Sequence, residues 1–156
     1  MAVKEILTDI NGALRRKSRR IVKITEEDKK LIKDLKDTLY KGDGVGLAAP
    51  QIGVLKRVFL VDLRDGSGPI IFINPKIVKK MGKYEDIEGC LSYPGYEGIV
   101  VRPRKIIVTG QNEKGKLVRI EATGLLARAI CHETDHLDGI LYMDHAKRIY
   151  KIKEEK

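Results

Sequence analysis

The sequence predicts an α+β fold, antiparallel β-sheets packed around a central helix, and three observations predict it. Residues 26–41 repeat apolar side chains at helical spacing. The stretch from 58 to 121 alternates short β-rich runs with turn residues. Residues 123–139 repeat a second helical pattern, which carries His132-Glu133-Thr134-Asp135-His136. Helix, then strands, then helix separates the two element types, as α+β folds do and alternating α/β folds do not.

The elements follow in order. Thr25-Glu26-Glu27-Asp28 reads as an N-cap with acids in the first turn. Leu31, Ile32, Leu35 and Leu39 then recur on one face, and Gly42 can end the helix. Residues 42–53 form a loop rich in small side chains. Val58 to Leu63 is β-rich and runs into a turn at Arg64 to Gly68. Ile70 to Ile73 and Ile77 to Val78 are short strands broken by Asn74-Pro75. Ile106 to Thr109 and Leu117 to Glu121 flank Asn112-Glu113-Lys114-Gly115, a hairpin signal. Thr123 can cap the second helix, and Gly139 can end it. Residues 144–156 form a basic tail, read as frayed or helical and exposed. No repeat, low-complexity tract or linker divides the chain, so residues 1–156 are expected to be one domain.

Bulk composition narrows the function classes. The chain has 156 residues, 42% hydrophobic and 34% charged, which fits a soluble globular domain with a real core. No apolar run reaches the length of a membrane span, and Met1-Ala2-Val3-Lys4-Glu5 lacks the apolar core of a signal peptide. Residues 11–23 are Arg-rich and acid-free, as transit peptides are. Glu5 and Asp9 stand against that reading, and Arg15 to Arg20 reads as a solvated basic face. Two cysteines, Cys90 and Cys131, are too few for a disulfide scaffold, and the cytoplasm is the expected compartment. The net charge of +9 permits a polyanionic partner, but aromatic residues make up only 5% and no RNA-binding signature occurs.

The HExxH string carries the chemistry. On a helix it sets His132 and His136 one turn apart on one face, a spacing that grips a divalent metal, with Glu133 beside the attacking water. A catalytic metal site needs a third protein ligand. Downstream, Tyr142 stands where one peptidase pattern places a third His, His145 is off register, and Glu154 and Glu155 lie in the tail. Upstream, Glu88-Gly89-Cys90-Leu91-Ser92 offers Cys90. A lone buried Cys is most often a small hydrophobe, but beside an HExxH lacking its third ligand the balance reverses. Thiolate with two imidazoles is an ordinary ligand set for iron, zinc, nickel or cobalt. Cys131 sits one residue from His132, about 100° off the ligand face, and reads as core.

Three strings together resemble the peptide deformylases: Gly44-Val45-Gly46-Leu47-Ala48-Ala49-Pro50-Gln51, Glu88-Gly89-Cys90-Leu91-Ser92 and His132-Glu133-Thr134-Asp135-His136. Asn74-Pro75 and Gly124-Leu125-Leu126-Ala127 match as well, and the likeness is close over residues 40–142. The chain departs from the family pattern at Gly12-Ala13, where a Pro is usual. It departs again at Cys131, where Gln is common, at Tyr93, where a small aliphatic is usual, and in its short tail.

The resemblance implies a hydrolase that removes the N-formyl group from the initiator methionine of nascent polypeptides and releases formate. It implies one divalent ion held by Cys90, His132 and His136, natively Fe²⁺, with Zn²⁺, Ni²⁺ and Co²⁺ as alternatives. Glu133 would take the water's proton and return it to the leaving amine. The Gln51 amide and the Leu91 backbone N–H would donate to the oxyanion. Gly46 and Gly89 would let a peptide lie alongside as an added strand, and Val45, Leu125 and Ala129 would line an apolar pocket for methionine. Glu88 either touches the metal or pairs with a cation; in the family it looks structural, with Arg102 as partner and Asp135 as a further support. The expected partners are an N-formyl-methionyl nascent peptide and, through basic charge, the ribosome surface, with no membrane and a monomeric state. The alternatives are an HExxH metallopeptidase, which lacks its downstream ligand here, and a basic ribosome-binding module without catalysis, which leaves the metal set unexplained.

Overall fold

A computed structural model describes residues 2–152. Helix α1 spans Glu26–Lys41, as its pattern predicts. Its capping box is closed: Asp28 N donates to Thr25 Oγ1 and Thr25 N donates to Asp28 Oδ2. Strands β1 (Gly46–Ala48), β2 (Val58–Val61), β3 (Ile70–Met81), β6 (Lys105–Gln111) and β7 (Leu117–Thr123) form a five-stranded antiparallel sheet in the order β1-β2-β3-β6-β7. Strands β4 (Tyr84–Cys90), β5 (Tyr93–Arg102) and β8 (Arg148–Lys151) form a second antiparallel sheet in the order β4-β5-β8. Helix α2 spans Gly124–Leu137.

The layers follow from the two-residue period of β2, which is buried on both faces. Val58 and Leu60 face α1 and pack with Leu31, Ile32, Leu35 and Leu39. Phe59 and Val61 face the other way and pack with Phe72, Ala127, Ile130 and Leu137, so that α2 lies on the opposite side of the sheet. Phe59 and Phe72 meet at 5.6 Å between ring centroids. On its far side α2 meets the three-stranded sheet through Arg128, which donates to Val100 O at 2.9 Å and Tyr84 O at 3.0 Å. Helix α2 is therefore the element between the two antiparallel sheets.

Several expectations are corrected. Asn74-Pro75 does not divide β3; the ladder to β6 skips from Ile73 to Lys76, so the missing N–H of Pro75 falls where no ladder bond is required. Asn74 adopts φ 53° there, and its side chain exchanges two hydrogen bonds with the Ile21 backbone. The loop after α1 contains β1 and a 3₁₀ turn at Ala49–Ile52. The tail is neither helical nor frayed over Arg148–Lys151, which pairs with β5; residues 153–156 lie outside the described residues. Thr123 occupies the N-cap position of α2, but its hydroxyl makes no capping bond. No helix among the described residues is long and apolar enough to cross a membrane.

Candidate metal centre

Two elements converge on the site. His132 and His136 lie one turn apart on α2, with ring centroids 5.0 Å apart. Glu88 and Cys90 lie on β4 with an irregularity of its ladder between them, and both turn toward α2, where Glu88 meets His132 and Cys90 meets His136. Cys90 Sγ lies 3.3 Å from His136 Nε2. The ligand atoms of Cys90, His132 and His136 all fall within 4.8 Å of one another. Cys131 faces the core instead, where burial pushes its thiol up to about 11.

The support behind these ligands is a buried ionic cluster. Arg102 grips Glu88 with two bonds, Nε to Oε2 at 2.8 Å and Nη2 to Oε1 at 2.9 Å. Arg128 Nη1 adds a third bond to Oε2 at 2.6 Å. Burial by itself would raise the Glu88 carboxyl, but the bonds from Arg102 and His132 outweigh it and hold the group well below the usual carboxylate range. An ionised carboxylate only accepts hydrogen bonds. His132 Nδ1, 2.8 Å from Glu88 Oε1, is therefore the donor, which leaves Nε2 for a metal. Burial opposes a positive charge on His132, yet its contacts with Cys90 and Glu88 raise its pKa well above the ordinary value. A proton and a metal ion compete for the same nitrogen. Burial, with His132 and Arg102 nearby, lowers His136 well below the ordinary value and keeps it neutral.

Asp135 stands further out than expected. It does not meet the ligand His136; Arg102 Nη1 donates to its Oδ2 at 2.6 Å, and His145 Nε2 lies 3.3 Å from the same oxygen. That contact also accounts for His145, the nearest downstream histidine. Glu154 and Glu155 lie outside the described residues.

Glu133 is 4% exposed, and its Oε1 has no hydrogen-bond partner among the described residues. Burial raises its carboxyl to about 7. Its other oxygen is crowded by β1: a Cβ on Gly46 would stand 2.5 Å from Oε2. Gln51 is held by both ends of its amide. Oε1 accepts from Ala48 N at 2.9 Å, while Nε2 donates to Ser92 Oγ at 3.1 Å and lies 3.7 Å from Cys90 Sγ. Leu91 sits at the turn between β4 and β5 and packs over Gly44, where a Cβ would meet its Cδ1 at 2.7 Å.

These groups open onto a cavity of about 380 Å³ lined by Val45, Gly46, Gly89, Leu125 and Ala129 together with Gln51, Cys90, His132 and Glu133. The expected substrate-side residues are thus gathered in one place. Two residues were missed. Nothing in the sequence marks Arg128 as the second cation on Glu88. Ser92 lies inside the Cys90 string, which was the available signal, but its hydroxyl has a partner only once the loop at Gln51 is folded against it.

The donor set, a thiol and two imidazoles with a carboxylate oxygen left unpartnered beside them, fits a tetrahedral divalent ion with one position open. A family model described as polypeptide deformylase matches residues 3–151. A peptide deformylase of Alkaliphilus metalliredigens is 51% identical over 144 residues, covering 92% of this chain and 97% of that protein. A crystal structure of a peptide deformylase from Legionella pneumophila superposes with TM-score 0.90 at 40% identity, over 94% of this chain and 87% of that one. One from Synechococcus elongatus in complex with actinonin gives 0.87 at 37% identity, over 95% and 85%.

Proposed function

The chain belongs to the peptide deformylase family, and from that premise we propose that Cys90, His132 and His136 hold one divalent metal ion and that Glu133 works beside it. The protein is a hydrolase that removes the N-formyl group from the initiator methionine of nascent polypeptides. Water and the formamide give formate and a free amine. The observation that carries the site assignment is the unpartnered, buried Oε1 of Glu133 next to three convergent ligand atoms.

When bound, the ion supplies Lewis acidity, lowering the pKa of water and polarising the formyl carbonyl. The residues do the rest. Glu133 takes a proton from the attacking water and later delivers it to the amine nitrogen as the C–N bond breaks. Gln51 Nε2, fixed by Ala48 N and Ser92 Oγ, and the Leu91 N–H donate to the oxygen that gains charge; one such donor is worth about 3 kcal/mol of barrier. Glu88 fixes the tautomer of His132. Gly46 and Gly89, without side chains, leave room for the peptide backbone, and Val45, Leu125 and Ala129 receive the methionine side chain. Fe²⁺ is the proposed native ion, the nascent chain the substrate, the ribosome surface its setting and the monomer the working form.

The test is formate release from a formyl-Met peptide, against an acetyl-Met peptide as control, with metal content measured on the same sample. Stripping the ion should stop formate release, and reloading Fe²⁺, Co²⁺ or Ni²⁺ should restore more activity than Zn²⁺ at equal occupancy. Formate release that survives complete removal of metal would refute the metal site. Zinc as the fastest ion would refute only the metal assignment.

A further inference from the structure

Residues 15–23 form a strap of unusual charge: Arg15, Arg16, Lys17, Arg19, Arg20 and Lys23, with no acid among the nine. Beyond Arg15, which ends a short 3₁₀ turn, the strap holds only a one-residue parallel bridge from Arg19 to Lys56, yet its backbone is pinned at Ser18, Arg19 and Ile21. Ser18 N donates to Leu137 O, Arg19 N to Leu55 O and Arg57 N to Arg19 O, and Ile21 is tied to the Asn74 side chain. Ser18 and Ile21 are buried, while Arg16, Lys17, Arg19, Arg20 and Lys23 are exposed. Arg15 pairs with Asp144, but the other five have no ion pair among the described residues.

The lysine-rich face of α1 is the nearest rival, and it differs. There Lys29 pairs with Glu26 and Lys36 with Glu113, so the charge is partly balanced in place. On the strap it is held open and fixed in position. Five unpaired cations over at most about 25 Å of extended chain suit a regularly charged polyanion.

We propose that residues 16–23 are a docking strip for the phosphate backbone of duplex RNA. Three of the five unpaired cations are Arg, whose planar fork suits phosphate. No aromatic residue lies in the strap, so base stacking on single strands is not on offer and recognition falls to the backbone. A membrane surface fits less well, because the segment is no amphipathic helix and Val22 is its one exposed apolar side chain. An acidic peptide adding as a strand fits less well too, since the backbone groups it needs are already used. The inference rests on the deformylase reading only for where such RNA is met, at the ribosome that presents the nascent chain. None of residues 15–23 lines the substrate cavity.

The test uses the metal-loaded full chain and a fluorescent 16-base-pair RNA duplex of mixed sequence, with affinity measured from 50 to 200 mM salt. The combined variant Arg16→Ala, Arg19→Ala, Arg20→Ala should weaken binding at least tenfold at 100 mM salt. It should flatten the slope of log affinity against log salt by about 2 to 3, close to one for each phosphate no longer neutralised. Formate release from a free formyl-Met peptide should stay at the wild-type rate, which separates this inference from the deformylase reading. The control variant Arg148→Ala, Lys151→Ala should bind as wild type. Wild-type RNA affinity in the triple variant overturns the proposal, as does an equal loss in the tail control. Tighter binding of wild type to phosphatidylserine vesicles or to polyglutamate than to the duplex overturns it as well.

Discussion

Gly46 lies against the carboxylate of Glu133, so close that a Cβ at position 46 would stand 2.5 Å from Oε2 and 2.9 Å from Cδ. Glu133 is buried, and the atoms met are those of its own side chain, so the side chain or the strand must shift. Gly46→Ala should therefore displace the carboxylate or push β1 outward. A misplacement of about 1 Å at a reacting group costs on the order of 10² in rate. We expect kcat/KM on a formyl-Met peptide to fall by about that factor with bound metal unchanged. Wild-type turnover in Gly46→Ala would show that this contact does not set the position of Glu133.

Glu133→Ala should keep its metal, because the three ligand atoms lie on Cys90, His132 and His136. Deformylation should fall by more than the roughly 10²–10⁴ of a typical general base, since one carboxylate serves both proton transfers. The check is single-turnover formate release at matched metal occupancy. Near-normal release would remove Glu133 from the chemistry.

The two cysteines should separate cleanly. Cys90 Sγ sits 3.3 Å from His136 Nε2, whereas Cys131 packs with Ile130, Phe59 and Phe72. Cys90→Ala should lose most of its bound metal, and Cys131→Ala should keep it at a modest cost in stability. Equal metal content in wild type and Cys90→Ala would sink the ligand assignment.

The pattern of what the sequence revealed has physical causes. Helix α1 was legible because a cap, an acidic first turn and a leucine stripe are local signals that agree. The metal helix was legible because two ligands lie four residues apart on it. Strands β4 and β5 were not, since Glu85, Asp86 and Glu88 break the apolar alternation in β4, and Pro94, Gly95 and Gly98 interrupt it in β5. Glu88 is stable in its buried place only through Arg102 and Arg128, at sequence distances of 14 and 40. Strand β8 pairs through its backbone with β5 and keeps its basic side chains in water, so composition alone reads it as tail.

Asp28 gives a pH signature away from the site. Burial would raise its carboxyl, but the bond from Lys56 at 2.7 Å and those from Thr25 hold it below the ordinary value of 3.8. A carboxyl lowered by folding stabilises the fold in full above its unfolded pKa. That contribution disappears as pH falls through the folded one. Asp28→Ala should therefore cost about 1 kcal/mol at pH 7, the usual worth of a cap. The gap to wild type should narrow below pH 4 in urea unfolding. A gap that holds constant or widens on acidification would show that the carboxylate charge is not the source.

The final prediction concerns what Glu88 can be replaced by. All its hydrogen-bond partners are donors: two groups from Arg102, one from Arg128 and one from His132 Nδ1. Glu88→Ala leaves the buried Arg128 guanidinium without its anion and Arg102 with Asp135 alone, at a cost of about 3–5 kcal/mol. Glutamine keeps the shape, yet it must turn an NH₂ toward two of those donors whichever way its amide is flipped. Glu88→Gln should therefore recover little, losing well over half of what Glu88→Ala loses in urea unfolding. The tautomer of His132 also rests on Glu88, so metal affinity measured by chelator competition should fall roughly 10–100-fold in the glutamine variant. If Glu88→Gln unfolds within about 0.5 kcal/mol of wild type, the size of an ordinary surface change, the negative charge is dispensable and the cluster holds by shape alone.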